Sequence, residues 1–138
     1  MYMTTQRDLL KAFRTAHAHL RPGGCVLVVP DHFKETFKPA VELHGHDAGK
    51  RGIRYVEWRI DPNPRDMTFE SHFTYIMRDA SNRFSIKYDR HIMGLFPKAT
   101  WIRLLKQAGF MVTVLPLHHS ELAPGTYFAL LARFRGQA

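Results

Sequence analysis

Two groups of side chains in this chain could do chemistry. His44-Gly45-His46-Asp47 sets two imidazoles and a carboxylate side by side, and His32 and Glu35 stand shortly before them. Such groups can accept a proton from an amine or a hydroxyl and so serve as general bases. Tyr55, Trp58, Tyr75 and His91 form the second group. They fall on strand-like segments and could line a pocket. Plainer readings fit as well: a solvated loop whose imidazoles do nothing, and sheet packing by aromatics around a satisfied histidine.

Metal binding is the other chemistry these types suggest. His44 and His46 with Asp47, or His118-His119 with Glu121, offer ligand atoms. Two-residue spacing on an irregular loop fixes no geometry, and no Cys-x-x-Cys or His-Glu-x-x-His pattern supports it, so no metal is assigned. Cys25 lies in an apolar run, which raises a thiol's pKa, and reads as a core residue rather than a nucleophile. There is no Gly-x-Ser-x-Gly elbow and no P-loop.

The elements that must position these residues follow from pattern. Thr5 caps a helix, with Asp8 in a variant of the capping box. Leu9, Phe13, Ala16 and Leu20 recur at helical spacing. Pro22 ends that helix and Gly23-Gly24 permit a reversal, so Cys25 to Pro30 follows as an apolar strand. Residues 31–52, with Pro39 and Gly45, Gly49 and Gly52, read as one long irregular loop. Residues 53–93 alternate with a period of two and predict an antiparallel three-run meander. Tyr55 falls on one face of its run and Trp58 on the other. Pro97 opens a second helix, capped by Gly109, and two strands, 110–117 and 127–134, close the chain.

Composition narrows the class. The 138 residues are 45% hydrophobic and 23% charged, which suits one folded domain. No apolar run approaches a membrane span, and no basic-then-apolar leader opens the chain. One cysteine allows no internal disulfide, and the expected setting is cytoplasmic. The net charge of +8 is spread over most elements rather than gathered. A solvated basic surface is therefore preferred to a nucleic-acid site.

Helix, Leu20-Arg21-Pro22-Gly23-Gly24, strand, and a late helix ending Leu105-Lys106-Gln107-Ala108-Gly109-Phe110 before two closing strands together resemble the C-terminal half of class I S-adenosylmethionine-dependent methyltransferases. The segment Pro30-Asp31-His32-Phe33-Lys34-Glu35-Thr36-Phe37-Lys38-Pro39 is similar to bacterial members that methylate amino sugars or other small metabolites. The resemblance implies an α/β fold: a partial Rossmann-like sheet ordered 25–30, 127–134, 110–117, two helices on it, and an inserted antiparallel meander over the acceptor. His32, Glu35, His44, His46 and Asp47 would then roof the site, with Tyr55, Trp58, Tyr75 and His91 lining it.

The same resemblance places the cofactor mainly in the family's front half, on a glycine-rich loop after a strand and an acid that holds the ribose. Gly23-Gly24 follows a helix instead. The expectation is a small-molecule methyltransferase region that binds no S-adenosylmethionine and is inactive by itself. The alternative is a non-enzymatic basic ligand-binding or assembly module. Without a neighbouring strand, Val26-Leu27-Val28-Val29 would present an unpaired edge. Leu9 and Phe13 would then be at risk of exposure. The expected partner is a second copy or a separately encoded front half.

Overall fold

A computed structural model describes residues 2–117 and 127–134 in two compact units. One contains Met3–Phe37 and the chain from Leu95 onward. The other contains Lys38–Gly94 together with Tyr2.

In the first unit, α1 (Gln6–Ala18) begins where the sequence predicts. The Thr5 hydroxyl oxygen accepts the Asp8 N–H at 3.2 Å and donates its own proton to the Asp8 carboxylate at 2.6 Å. Gly23 takes the left-handed φ of +80° that the reversal needs. Strand β1 (Cys25–Val28) follows, then α2 (Lys98–Gln107), β6 (Phe110–Leu117) and β7 (Tyr127–Phe134). The sheet order β1-β7-β6 is the expected one, and both pairings are antiparallel. The parallel pairing of a doubly wound sheet is not found among the described strands. Gly109, just past α2, has φ +97° and ends the helix as a glycine C-cap does.

Two expectations fail in this unit. Cys25 is exposed rather than core, and Leu27 is 57% exposed. Among the described strands β1 pairs with β7 only. Its other edge has no strand partner among the described residues, and the apolar run is only half-buried. Leu9 and Phe13, in contrast, are buried at 0% and 6%. Trp101 of α2 packs against Phe13, with ring centres 5.9 Å apart. With Phe96, Leu105 and Leu130 they form a core in which a Leu→Ala change costs about 2–5 kcal/mol.

The second unit is a four-stranded antiparallel sheet in sequence order: β2 (Ala40–Ala48), β3 (Arg51–Ile60), β4 (Thr68–Arg78) and β5 (Phe84–Gly94). The second half of the long loop expected over 31–52 is therefore strand, β2 and the start of β3. The only apolar residues of any size in β2, Val41 and Leu43, share one side, and Gly45 interrupts the run, so propensity is weak. Pairing with β3 from Ala40↔Arg59 to Ala48↔Arg51 supplies the backbone partners that make it a strand. Gly49 adopts φ +60° in the two-residue turn between them. Asp79 shapes the β4–β5 turn, its Oδ1 accepting the N–H groups of Ser81 at 2.8 Å and Arg83 at 3.0 Å.

Candidate functional site

Register decides what the second unit can do. Paired residues of an antiparallel sheet share a face. One row across the four strands is Glu42, Glu57, Phe73 and Asp89; the next is His44, Tyr55, Tyr75 and Lys87. Beyond the first row lie Arg59, Ser71 and His91, and beyond the second His46, Ile53 and Met77.

The centre of this face is aromatic. Tyr55 lies 5.5 Å from Tyr75 and 6.1 Å from Phe73, ring centre to ring centre, and Phe73 stacks on Tyr75 at 5.8 Å. His44 flanks Tyr55 at 5.1 Å, and His91 flanks Phe73 at 5.1 Å. Burial raises the Tyr75 phenol above its ordinary pKa, so it stays protonated at neutral pH.

Carboxylates rim this floor. The buried Ser71 hydroxyl donates to Glu57 at 2.9 Å. Glu42 meets His44 at 3.1 Å and is ion-paired with Arg59, contacts that hold its carboxyl below the usual range. Asp89 is likewise lowered, chiefly by its 2.8 Å hydrogen bond to His91 Nε2. Tyr2 Oη is hydrogen-bonded to the other imidazole nitrogen, Nδ1. A hollow of about 270 Å³ borders the face at His46, Ile53 and Met77. Aromatic faces with acidic rims suit a small polar molecule, particularly one carrying an amine.

The structure thus brings together His44, His46, Tyr55, Tyr75 and His91. It separates the other candidates. Trp58 pairs with Val41 and His72, and Asp47 with Gly52, on the opposite face. There Asp47 is ion-paired with Arg54, and Arg78 lies 3.6 Å away. His32 and Glu35 belong to the first unit. His32 packs edge-on to Phe37 at 5.4 Å, and Glu35 accepts a backbone N–H from α2. His118, His119 and Glu121 lie outside the described residues.

Sequence reasoning missed Tyr2, Glu42, Glu57, Phe73 and Asp89. The period of two already placed Glu57 beside Tyr55 on its own strand. The cross-strand neighbours had no signal, because register is not readable from one strand alone. The ligand types offered by His44, His46 and Asp47, to which the sequence assigns no metal, are split between faces. A different trio, Glu42, His44 and Glu57, has ligand atoms within 4.8 Å of one another, although Arg59 already occupies Glu42.

No protein-family model and no curated protein matches the chain. Solved structures do. Streptomyces venezuelae DesVI superposes with TM-score 0.80 at 22% identity, over 98% of this chain and 54% of that one. The sugar N-methyltransferase KedS8 from a Streptoalloteichus species gives 0.79 at 17%, over 98% and 52%. CalS10, an S-adenosylmethionine-bound amino pentose methyltransferase from Micromonospora echinaspora, gives 0.75 at 16%, over 96% and 52%. The fold is thus that of S-adenosylmethionine-dependent sugar methyltransferases, and the chain spans about half the length of each of these structures.

The Gly23-Gly24 turn does not have the geometry of a glycine-rich cofactor loop. The one Gly-Gly turn follows a helix. A Cβ added at Gly23 would meet nothing within 4 Å, and one at Gly24 would strike the Arg21 carbonyl at 2.9 Å and the Leu20 side chain at 3.2 Å. The turn closes on its own helix end, the Gly24 N–H donating to the Arg21 carbonyl at 2.9 Å.

Among the described residues no helix is long and apolar enough to cross a membrane.

Proposed function

We propose that this chain is the C-terminal region of an S-adenosylmethionine-dependent methyltransferase acting on a small molecule. Its β3–β4 aromatic face would hold the acceptor. The observation that carries this reading is the likeness of nearly the whole chain to half of several sugar methyltransferases, joined to a face that gathers His44, Tyr55, Tyr75 and His91. On this reading the β1-β7-β6 sheet is the closing part of a Rossmann-like sheet. The open edge of β1 accepts a strand from the cofactor-binding half, and the chain alone is inactive. Its setting would be cytoplasmic.

Methyl-transfer assays on an amino-sugar panel test this. The chain supplied with a cofactor-binding front half should methylate an amine, and Tyr55→Ala and Tyr75→Ala should weaken acceptor binding. The chain alone should show no transfer, and no calorimetric binding of S-adenosylmethionine at micromolar affinity, about −8 kcal/mol. Transfer indifferent to both tyrosines would remove the face from the site.

A specific observation also favours homo-oligomer formation. The opposite face of the same sheet carries Leu43, Trp58, Ile76, Phe84, Ile86 and Tyr88, each between 42% and 77% exposed. Exposed apolar side chains of this number on one sheet face, interspersed with ion pairs such as Asp47–Arg54, call for cover, and a second copy of itself is the partner we assign to it.

A further inference from the structure

We propose that Asp89, His91 and Tyr2 form a proton-relay chain that makes the Tyr2 phenol oxygen a proton acceptor toward a ligand on the aromatic face. The proposal rests on the small-molecule acceptor reading above and adds the residues that would move its proton.

The geometry sets the direction of the chain for the neutral imidazole. Asp89 Oδ2 lies 2.8 Å from His91 Nε2. An ionised carboxylate only accepts, so Nε2 carries the proton and donates it. When that imidazole is neutral its Nδ1 is bare and accepts from the partner it has there, Tyr2 Oη. The order is carboxylate, imidazole, hydroxyl, with the hydroxyl at the outer end. Tyr2 is 67% exposed, so its oxygen can be reached from solution. Phe73, whose ring centre is 5.1 Å from that of His91, walls one side of the imidazole and limits its swing. Asp89 is held ionised by the His91 hydrogen bond first and by the Arg90 backbone N–H among lesser causes.

The step balances without a further reagent. A ligand N–H or O–H gives its proton to Tyr2 Oη as the Tyr2 proton passes to His91 Nδ1. The imidazolium that forms is stabilised by Asp89, which itself stays unprotonated. The ligand atom keeps the electron pair of the broken bond and can use it to form a new one. Tyr2 is the group that touches the ligand. His91 and Asp89 are positioning residues that act through it.

Such a chain makes Tyr2 more nucleophilic than an unassisted tyrosine, and this can be read without any methyl transfer. N-acetylimidazole acetylates tyrosine oxygens, and mass spectrometry of peptides gives the rate at each site. Tyr2 should react roughly tenfold or more faster in the wild-type chain than in His91→Gln. Asp89→Asn should slow it in the same direction, and Asp89→Glu should restore part of the rate. Tyr127 serves as the internal control and should react equally in all. Nitrogen-15 spectra of the histidine-labelled chain should show His91 protonated on Nε2, with an Nδ1 signal that moves in Tyr2→Phe. Equal Tyr2 acetylation in the wild type and His91→Gln, or an Nδ1 signal indifferent to Tyr2→Phe, would overturn the relay. Neither measurement depends on turnover, so failure of the methyltransferase reading would appear separately, in the assays above.

Discussion

The Glu35 carboxylate caps helix α2: both of its oxygens lie 3.1 Å from the backbone nitrogen of Lys98 and accept its N–H. Helix α2 needs an outside cap. Pro97 occupies its N-cap position with no side-chain hydrogen bond, and its first turn holds no acidic residue. A carboxylate at the positive end of the helix supplies both the missing acceptor and the charge.

Glu35→Ala should therefore destabilise the chain by about 1 kcal/mol, with Glu35→Gln losing less. Urea unfolding followed by circular dichroism measures this. An unchanged midpoint for Glu35→Ala would return Glu35 to the set of free candidate bases.

The hairpin β2–β3 depends on two glycines for different reasons. A Cβ at Gly45 would meet Arg54 Cδ at 2.3 Å and the Ile53 carbonyl oxygen at 2.9 Å. The second contact is backbone and cannot swing away. A Cβ at Gly52 would meet the Asp47 Oδ1 at 2.3 Å, the end of a movable side chain. Gly45→Ala should cost about 1–3 kcal/mol, and Gly52→Ala less than about 1 kcal/mol. Thermal unfolding of the two variants checks the order, and the reverse order would contradict this account of the hairpin.

Acid should weaken the second unit through identifiable pairs. The Arg90 guanidinium holds the Glu70 carboxyl below its ordinary pKa, and Arg54 does the same for Asp47. A depressed carboxyl stabilises the fold above its unfolded pKa, about 4. That contribution is lost as pH falls from there through the folded value. Glu70→Gln should melt below the wild type at pH 7, and the difference should shrink as the pH drops below about 4. A gap that stays constant with pH would mean the pair contributes through packing rather than charge.

Association should depend on the exposed face of β2–β5. Leu43 and Ile86 are 77% and 71% exposed, so a charge at either disturbs no core. The wild-type chain should sediment above its 16.0 kDa mass as concentration rises. Leu43→Arg with Ile86→Lys should return it to one chain while leaving the melting temperature of the dilute protein nearly unchanged. A wild type that remains a single chain at high concentration would refute the partner assigned to this face.

Local signals in the sequence determined much of this protein. Thr5 with Asp8, the Pro-Gly-Gly reversal and Gly109 marked where helices begin and end, because capping is decided by the few residues at each terminus. The period of two in 53–93 assigned each residue to a side of its own strand, since pleating alternates side chains whatever the partner. Three determinations needed tertiary structure. The 40–48 segment became a strand only by pairing with β3, for its polar side and Gly45 give it little propensity of its own. Cys25 became exposed because burial of an apolar strand depends on what lies against it. The candidate site was assembled by register: His44 beside Tyr55, Phe73 between Glu57 and Asp89, and Trp58 and Asp47 turned away. A shift of one residue would have exchanged every one of those faces, and register is set by contacts between strands that no single stretch of sequence contains.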